Sequence, residues 1–254
     1  MNTQQILQEI SIEVCLDSVE SSINAQQGGA DRVELCDNLF QGGTTPSIGT
    51  IRAARKAIDI GLQVIIRPRG GDFLYSDYEF EVMKEDILAA GEAGADGVVF
   101  GILTPDGLVD RDRNALLREL AGPMNATFHR AFDVVRNPFD ALETIIDLGF
   151  NRILTSGQAP TVLEGVELVR ELVDRAAGRI IIMPGNGITP RNMQKIIELT
   201  GAREYHVFVD RERESGMTYR PGDVYMGGLL RQPEFVNSFT DRDMVTRLRG
   251  LGSK

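Results

Sequence analysis

The chain has 254 residues, with 27 Lys and Arg against 37 Asp and Glu, a formal net charge of -10 and a pI near 4.8. That balance opposes binding to nucleic acid or to an anionic membrane, both of which need a basic face, and no apolar run approaches the roughly 18 residues that cross a bilayer. Two cysteines in a chain this long make no disulfide framework, so reduced thiols in a cytoplasmic setting are expected, with small molecules or metal ions as partners.

Met1 to Glu9 is polar, without the basic start and apolar core of a signal peptide. Ile12 to Leu16 then reads as a strand. After it one pattern keeps returning: a glycine that closes a helix, a small or polar residue, and a β-forming run. It recurs from Gly28, Gly61 to Pro68, from Gly94, Gly122 to His129, from Gly149, Gly178 to Met183 and from Gly201. Glycine past a helix supplies the left-handed stop, so each copy marks a helix-to-strand joint. Eight strands alternating with helices imply parallel pairing, and about 250 residues is the usual size of a (β/α)8 barrel. The expected architecture is therefore a single TIM-barrel domain over residues 1–254. The rival is an open doubly wound sheet, whose dinucleotide fingerprint is missing after the first strand at Asp17, Ser18, Val19 and Glu20. Beyond the eighth strand a long loop is expected over 210–237, then a closing helix over 241–249 capped by Thr240. The loop leaves the face where barrel sites lie, so it reads equally as a lid or as a subunit-contacting segment.

Helix-facing positions of a barrel strand must be apolar, and this fixes the parity. Ile12, Val14 and Leu16 face helices and send Glu13, Cys15 and Asp17 inward. Val33 and Leu35 leave Glu34 and Cys36 inside, and Val64 and Ile66 leave Ile65, Arg67 and Arg69. Phe128 outward puts Thr127 and His129 in, and Tyr205 and Val207 outward put Glu204, His206 and Phe208 in. The fourth, sixth and seventh strands are too uniformly apolar to assign. Branched apolar residues normally fill such a core, so the polar set stands out; Glu13, Glu34 and Arg67 on neighbouring strands are expected to neutralise one another.

Several of these residues fall at the carboxyl ends of strands, where barrel chemistry is located. Arg67 and Arg69 flank Pro68 on a stiff turn and match a carboxylate or phosphate, with Arg130 and Ser156 as further candidates. Gly185, Asn186 and Gly187 precede a helix expected to open at Pro190, a place suited to an anion. Cys15 and Cys36 sit near the tops of adjacent strands. Paired thiolates favour Cu(I), whereas zinc would call for His129 and His206 as well; the plain alternative is two buried small hydrophobes.

Glu13-Val14-Cys15, the segment from Gly29 to Cys36, Gly42 to Ser47, Ile66 to Phe73, Thr127 to Asp133 and Leu154 to Gly157 resemble the CutC copper homeostasis family. The likeness spans about residues 12–206. It implies a (β/α)8 barrel, a role in copper handling, and Cys15 and Cys36 as Cu(I) ligands. The chain departs from the family's pattern at Pro184 and Asn186 and at Val207, Phe208, Val209 and Asp210.

Two functions follow. In the first, Cys15 and Cys36 hold Cu(I) with His206 or His129 as a further ligand. In the second, an enzyme acts on a small anionic, phosphorylated or carboxylated metabolite bound by Arg67, Arg69, Arg130, Ser156 and the Gly185-Asn186-Gly187 turn. Glu13 or Glu34 would then be the base and His129 the acid, with Asp133 to orient it. Under either reading a homo-oligomer is expected.

Overall fold

The computed structural model describes residues 10–222 and 235–252. Eight strands alternate with seven helices: β1 Ser11–Leu16, α1 Val19–Gln27, β2 Arg32–Leu35, α2 Ile48–Ala57, β3 Gly61–Ile65, α3 Asp77–Glu92, β4 Gly97–Phe100, α4 Arg111–Leu120, β5 Asn125–Phe128, α5 Pro138–Asp147, β6 Arg152–Thr155, α6 Val166–Ala176, β7 Ile181–Pro184, α7 Met193–Thr200 and β8 Glu204–Val207. The strands run β7-β6-β5-β4-β3-β2-β1-β8, every neighbouring pair parallel. Gly185 bridges to His206 and brings the two outer strands together. The chain is thus a (β/α)8 barrel.

Local sequence explains the joints. Ser18, Ser47, Ser76, Asp110 and Asn137 each accept a backbone N–H from the first turn of the helix that follows, and Ser76 and Glu79 form a reciprocal capping box. Alternation does the rest. Ile12, Val14, Leu16, Val33, Leu35, Val64, Ile66, Phe128, Tyr205 and Val207 join one buried layer with the apolar faces of the helices, each large side chain contributing about 1.5–3 kcal/mol by its burial. The three strands left unassigned obey the same rule: Val98, Phe100, Ile153 and Ile182 belong to that layer. Val99, Leu154 and Met183 are buried outside it.

Beyond β8 the chain is more ordered than a loop. β9, Asp210–Glu214, pairs antiparallel with β10, Val236–Thr240, and Arg213 pairs with Glu20 of α1. The lid expected over 210–237 includes residues 223–234, which lie outside the described residues. The closing helix α8 runs Arg242–Leu251, and its cap is Asp241 and not Thr240. The Asp241 carboxylate accepts from the Asp243 and Met244 N–H groups, whereas the Thr240 N–H donates to Ser21 and its carbonyl accepts from Asn24. Among the described residues no helix is long and apolar enough to cross a membrane.

Candidate metal centre and ligand cavity

Strand register builds the site. Glu13 stands beside His206 across β1 and β8, and Cys15 stands beside Glu34 across β1 and β2. One polar column results. At the floor of the barrel Arg152 Nε lies 2.6 Å from Glu204 Oε2, and Arg32 Nη2 lies 2.5 Å from the same oxygen. Arg32 Nε then meets Glu13 Oε2 at 2.5 Å, and Glu13 Oε1 meets His206 Nδ1 at 2.8 Å. Above them His206 Nε2 is 3.6 Å from Glu34 Oε2. The Cys36 Sγ is also 3.6 Å from Glu34 Oε2 and 3.7 Å from Cys15 Sγ.

The expected neutralisation of Glu13 and Glu34 by Arg67 is therefore corrected. Glu13 takes Arg32 and His206 instead, because Arg32 is two residues before Glu34 on the same inward face while Arg67 lies beyond the end of β3. Burial alone would raise the Glu13 carboxyl, but Arg32 and His206 outweigh it and hold it at about 2.

The thiols are unequal. A hydrogen bond from Cys36 works against burial and, with His206, brings Cys15 down to about 5. The same bond, then burial, pushes Cys36 well above its ordinary value. Burial and the neighbouring Cys15 push Glu34 up. Burial opposes charge on His206, yet Glu34, Cys15 and Glu13 together raise it. These shifts favour the thiolate at Cys15, the thiol at Cys36 and the protonated imidazole at His206. The ligand atoms of Cys15, Glu34 and Cys36 all lie within 4.8 Å of one another. The two sulfurs suit a soft cation, and the Glu34 carboxyl beside them is a harder donor. The sulfur separation is too long for a covalent bond and shorter than twice an ordinary metal–thiolate bond of about 2.3 Å, so one ion reaches both without moving the strands.

Cys15 and Glu34 also line a cavity of about 610 Å3, together with Arg67, His129, Asn186 and Phe208. Arg67 is 5 % exposed. It donates to the carbonyls of Gln41, Gly43 and Gly71, each at 2.8 Å, and its Nε has no partner. His129 accepts the Ala131 N–H at Nδ1, which places its proton on Nε2, and Nε2 has no partner either. Burial first, then Arg67, lowers the His129 pKa to about 3, so the ring is neutral.

Other candidates take other partners, although Arg130, Asp133, Asn186, Gly187 and His206 still line the cavity. Arg69 turns away from the cavity to Asp72, Glu79 and the Leu74 carbonyl, because it stands past Pro68 where strand alternation no longer applies. Asp133 is saturated by Thr155, Ser156, Gln158 and Arg130, which makes Arg130 and Ser156 part of a loop brace. Near β7 the helix starts at Met193 and not at Pro190. The Gly185 N–H bonds Thr155 and the Thr189 N–H bonds Asn192, while Asn186 and Gly187 line the cavity. His206 stands behind Glu34, tied to Glu13, and outside the three clustered ligand atoms. Arg32 and Arg152 were missed from sequence, although Arg32 shares the parity of Glu34 and was open to the same argument.

A parallel eight-stranded barrel with one buried and one half-buried thiol paired under its mouth defines the class. Residues 10–210 match the model of the CutC family. The chain is 51 % identical to the copper homeostasis protein cutC homologs of Mus musculus and Homo sapiens, over 95 % of this chain and 88 % of theirs. It is 48 % identical to a family protein CutC of Chromobacterium violaceum, over 94 % of this chain and 96 % of that one. A crystal structure of a CutC protein from Streptococcus agalactiae superposes with a TM-score of 0.75 at 38 % identity, covering 78 % of this chain and 97 % of that one. The chain belongs to the CutC family. A thiamine phosphate pyrophosphorylase from Pyrococcus furiosus, at 17 % identity and a TM-score of 0.58 over 98 % of both chains, shares the fold alone.

Proposed function

We propose that the protein serves copper homeostasis by holding one Cu(I) ion between Cys15 and Cys36. The observation that carries this reading is the sulfur pair at 3.7 Å, whose Cys15 member is biased toward the thiolate by Cys36 and His206. Cu(I) prefers soft thiolate ligands, and the naming of the mouse and human relatives agrees with it. Glu34 is the third donor in reach. His206 supports the site through Glu34 and Cys15, and its positive charge offsets the thiolate.

Acid–base catalysis has less support. Glu13 is fully engaged below the cavity, and Asp133 is consumed by its loop bonds. The test is an anaerobic Cu(I) competition titration against a chromophoric chelator. One tight equivalent per chain, lost in the Cys15→Ser, Cys36→Ser double variant, is expected. Weak binding, or binding that survives in the double variant, overturns the proposal.

A further inference from the structure

A Cu(I) site leaves most of the mouth unexplained. Ligand pockets run from about 300 to 1,000 Å3, and the cavity of about 610 Å3 lies well inside that range; a single ion occupies only a small part of such a space. The unexplained groups are concentrated around Arg67 and His129.

A buried cation is normally matched by an anion, since its desolvation is costly without one. Among the described residues no carboxylate pairs with Arg67. Its three bonds all go to uncharged carbonyls of the loops after β2 and β3. Three of its five N–H groups are thereby used, and Nε is left pointing at no acceptor. The second unpartnered donor, His129 Nε2, belongs to a ring that is 4 % exposed and lines the same cavity. Phe73 ties the two together: its ring lies 4.8 Å from the His129 ring, with the Arg67 guanidinium 5.2 Å from its centre. The rest of the lining favours carbon. Ile65 and Leu154 are buried against the cavity, while Val134 and Phe208 line it from exposed positions, 59 % and 52 % accessible. Arg130 and His206 also line the cavity but are paired with Asp133 and Glu13; Arg67 alone among these cations lacks a carboxylate partner, and its planar fork matches a single carboxylate.

We infer that this cavity binds a small organic carboxylate, its anionic end on Arg67 and His129 Nε2 and its apolar body against Phe73, Leu154 and Phe208. Cys15 and Glu34 border the same cavity, but the anionic end rests on Arg67 and His129, so the inference does not depend on copper. His129 acts as a neutral donor, and the guanidinium supplies the charge.

The experiment is a titration of the native chain with sodium benzoate and sodium acetate, followed through the 15N signals of Arg67 Nε and the two imidazoles. Inorganic phosphate is the contrasting probe. Only His129 and His206 contribute imidazole signals, and the Arg67→Lys spectrum identifies the Arg67 signal. Saturable benzoate binding that moves Arg67 Nε and His129 together is expected. It should weaken about tenfold or more in His129→Phe, which keeps the ring packing and removes one hydrogen bond to a charged group. The inference is overturned if neither carboxylate saturates by about 20 mM, if His129→Phe binds equally well, or if phosphate binds more tightly than both carboxylates. Should Arg67→Lys fail to fold, the His129→Phe comparison decides alone.

Discussion

Replacing Arg32 with Met removes the one cation shared by Glu13 and Glu204 while keeping much of its volume. The Arg32 side chain is 9 % exposed and that of Glu13 is 1 % exposed, with guanidinium nitrogens 2.5 Å from each carboxylate. Breaking a buried pair from one side costs about 3–5 kcal/mol. Each carboxylate keeps a second partner, His206 at 2.8 Å and Arg152 at 2.6 Å, so the expected cost sits at the lower end, about 3 kcal/mol. It depends on pH. In the native chain the Glu13 carboxyl is held at about 2, below its ordinary value of 4.5. Its stabilisation is complete above 4.5 and fades only as the pH falls toward 2. In the variant, burial acts with His206 alone against it, and the carboxyl titrates higher. The penalty is then largest near neutral pH and shrinks as the carboxyl takes a proton. Urea denaturation at about pH 7 and about pH 3 should show the gap between native and variant narrowing at the lower value, inside the window set by 4.5 and about 2. A loss under about 1 kcal/mol, or the same loss at both pH values, would refute the claim that Arg32 is the cation of this column.

Two further expectations concern the mouth. Cys15 should be alkylated by iodoacetamide with a midpoint near its value of about 5, while Cys36 stays inert through neutral pH. Mass spectrometry of the modified peptides separates the two thiols, and joint titration near the ordinary 9.0 would contradict the unequal pair. Gly43 has φ +86°, and an added Cβ would stand 3.2 Å from Cys36 Sγ and 3.3 Å from Ile65 Cδ1. Gly43→Ala should cost about 1–2 kcal/mol in backbone strain, a Tm drop of about 2–8 °C, and should perturb Cu(I) binding. An unchanged Tm in a thermal scan would show that the loop relaxes freely.

The outer layer of the barrel was legible because its constraint is binary: an apolar side chain at every second position of β1, β2, β3, β5 and β8. That rule placed Glu13, Glu34, Cys36 and His129 in the interior correctly. It says which way a side chain points and nothing of how deep it sits. Arg32 and Glu34 share a face, yet one ends at the floor with Glu204 and the other beside the thiols. Arg69 was misplaced because alternation, which carries past the end of β3 at Ile65 to Ile66 and Arg67, stops at Pro68. The ribbon of β9 and β10 was hidden for another reason. Its residues Asp210 to Glu214 are all exposed, so burial leaves no hydrophobic signature and pairing with β10 alone makes them a strand.

The seam of the barrel has a consequence for how the site lives in time. β8 holds β1 through a four-residue register, whereas among the described residues its pairing on the β7 side is the isolated bridge from Gly185 to His206. An ideal Cβ on Gly185 would sit 2.5 Å from Leu154 Cδ1 and 3.1 Å from His206 Cβ, so bareness at that position is what lets the ring shut. The residue that receives the bridge is the same one that grips Glu13 and stands over Glu34. Parting of the seam would leave His206 with Glu13 on β1 and free the turn that carries Asn186 and Gly187 into the cavity wall. Amide exchange along this edge would therefore read how firmly that wall is held shut.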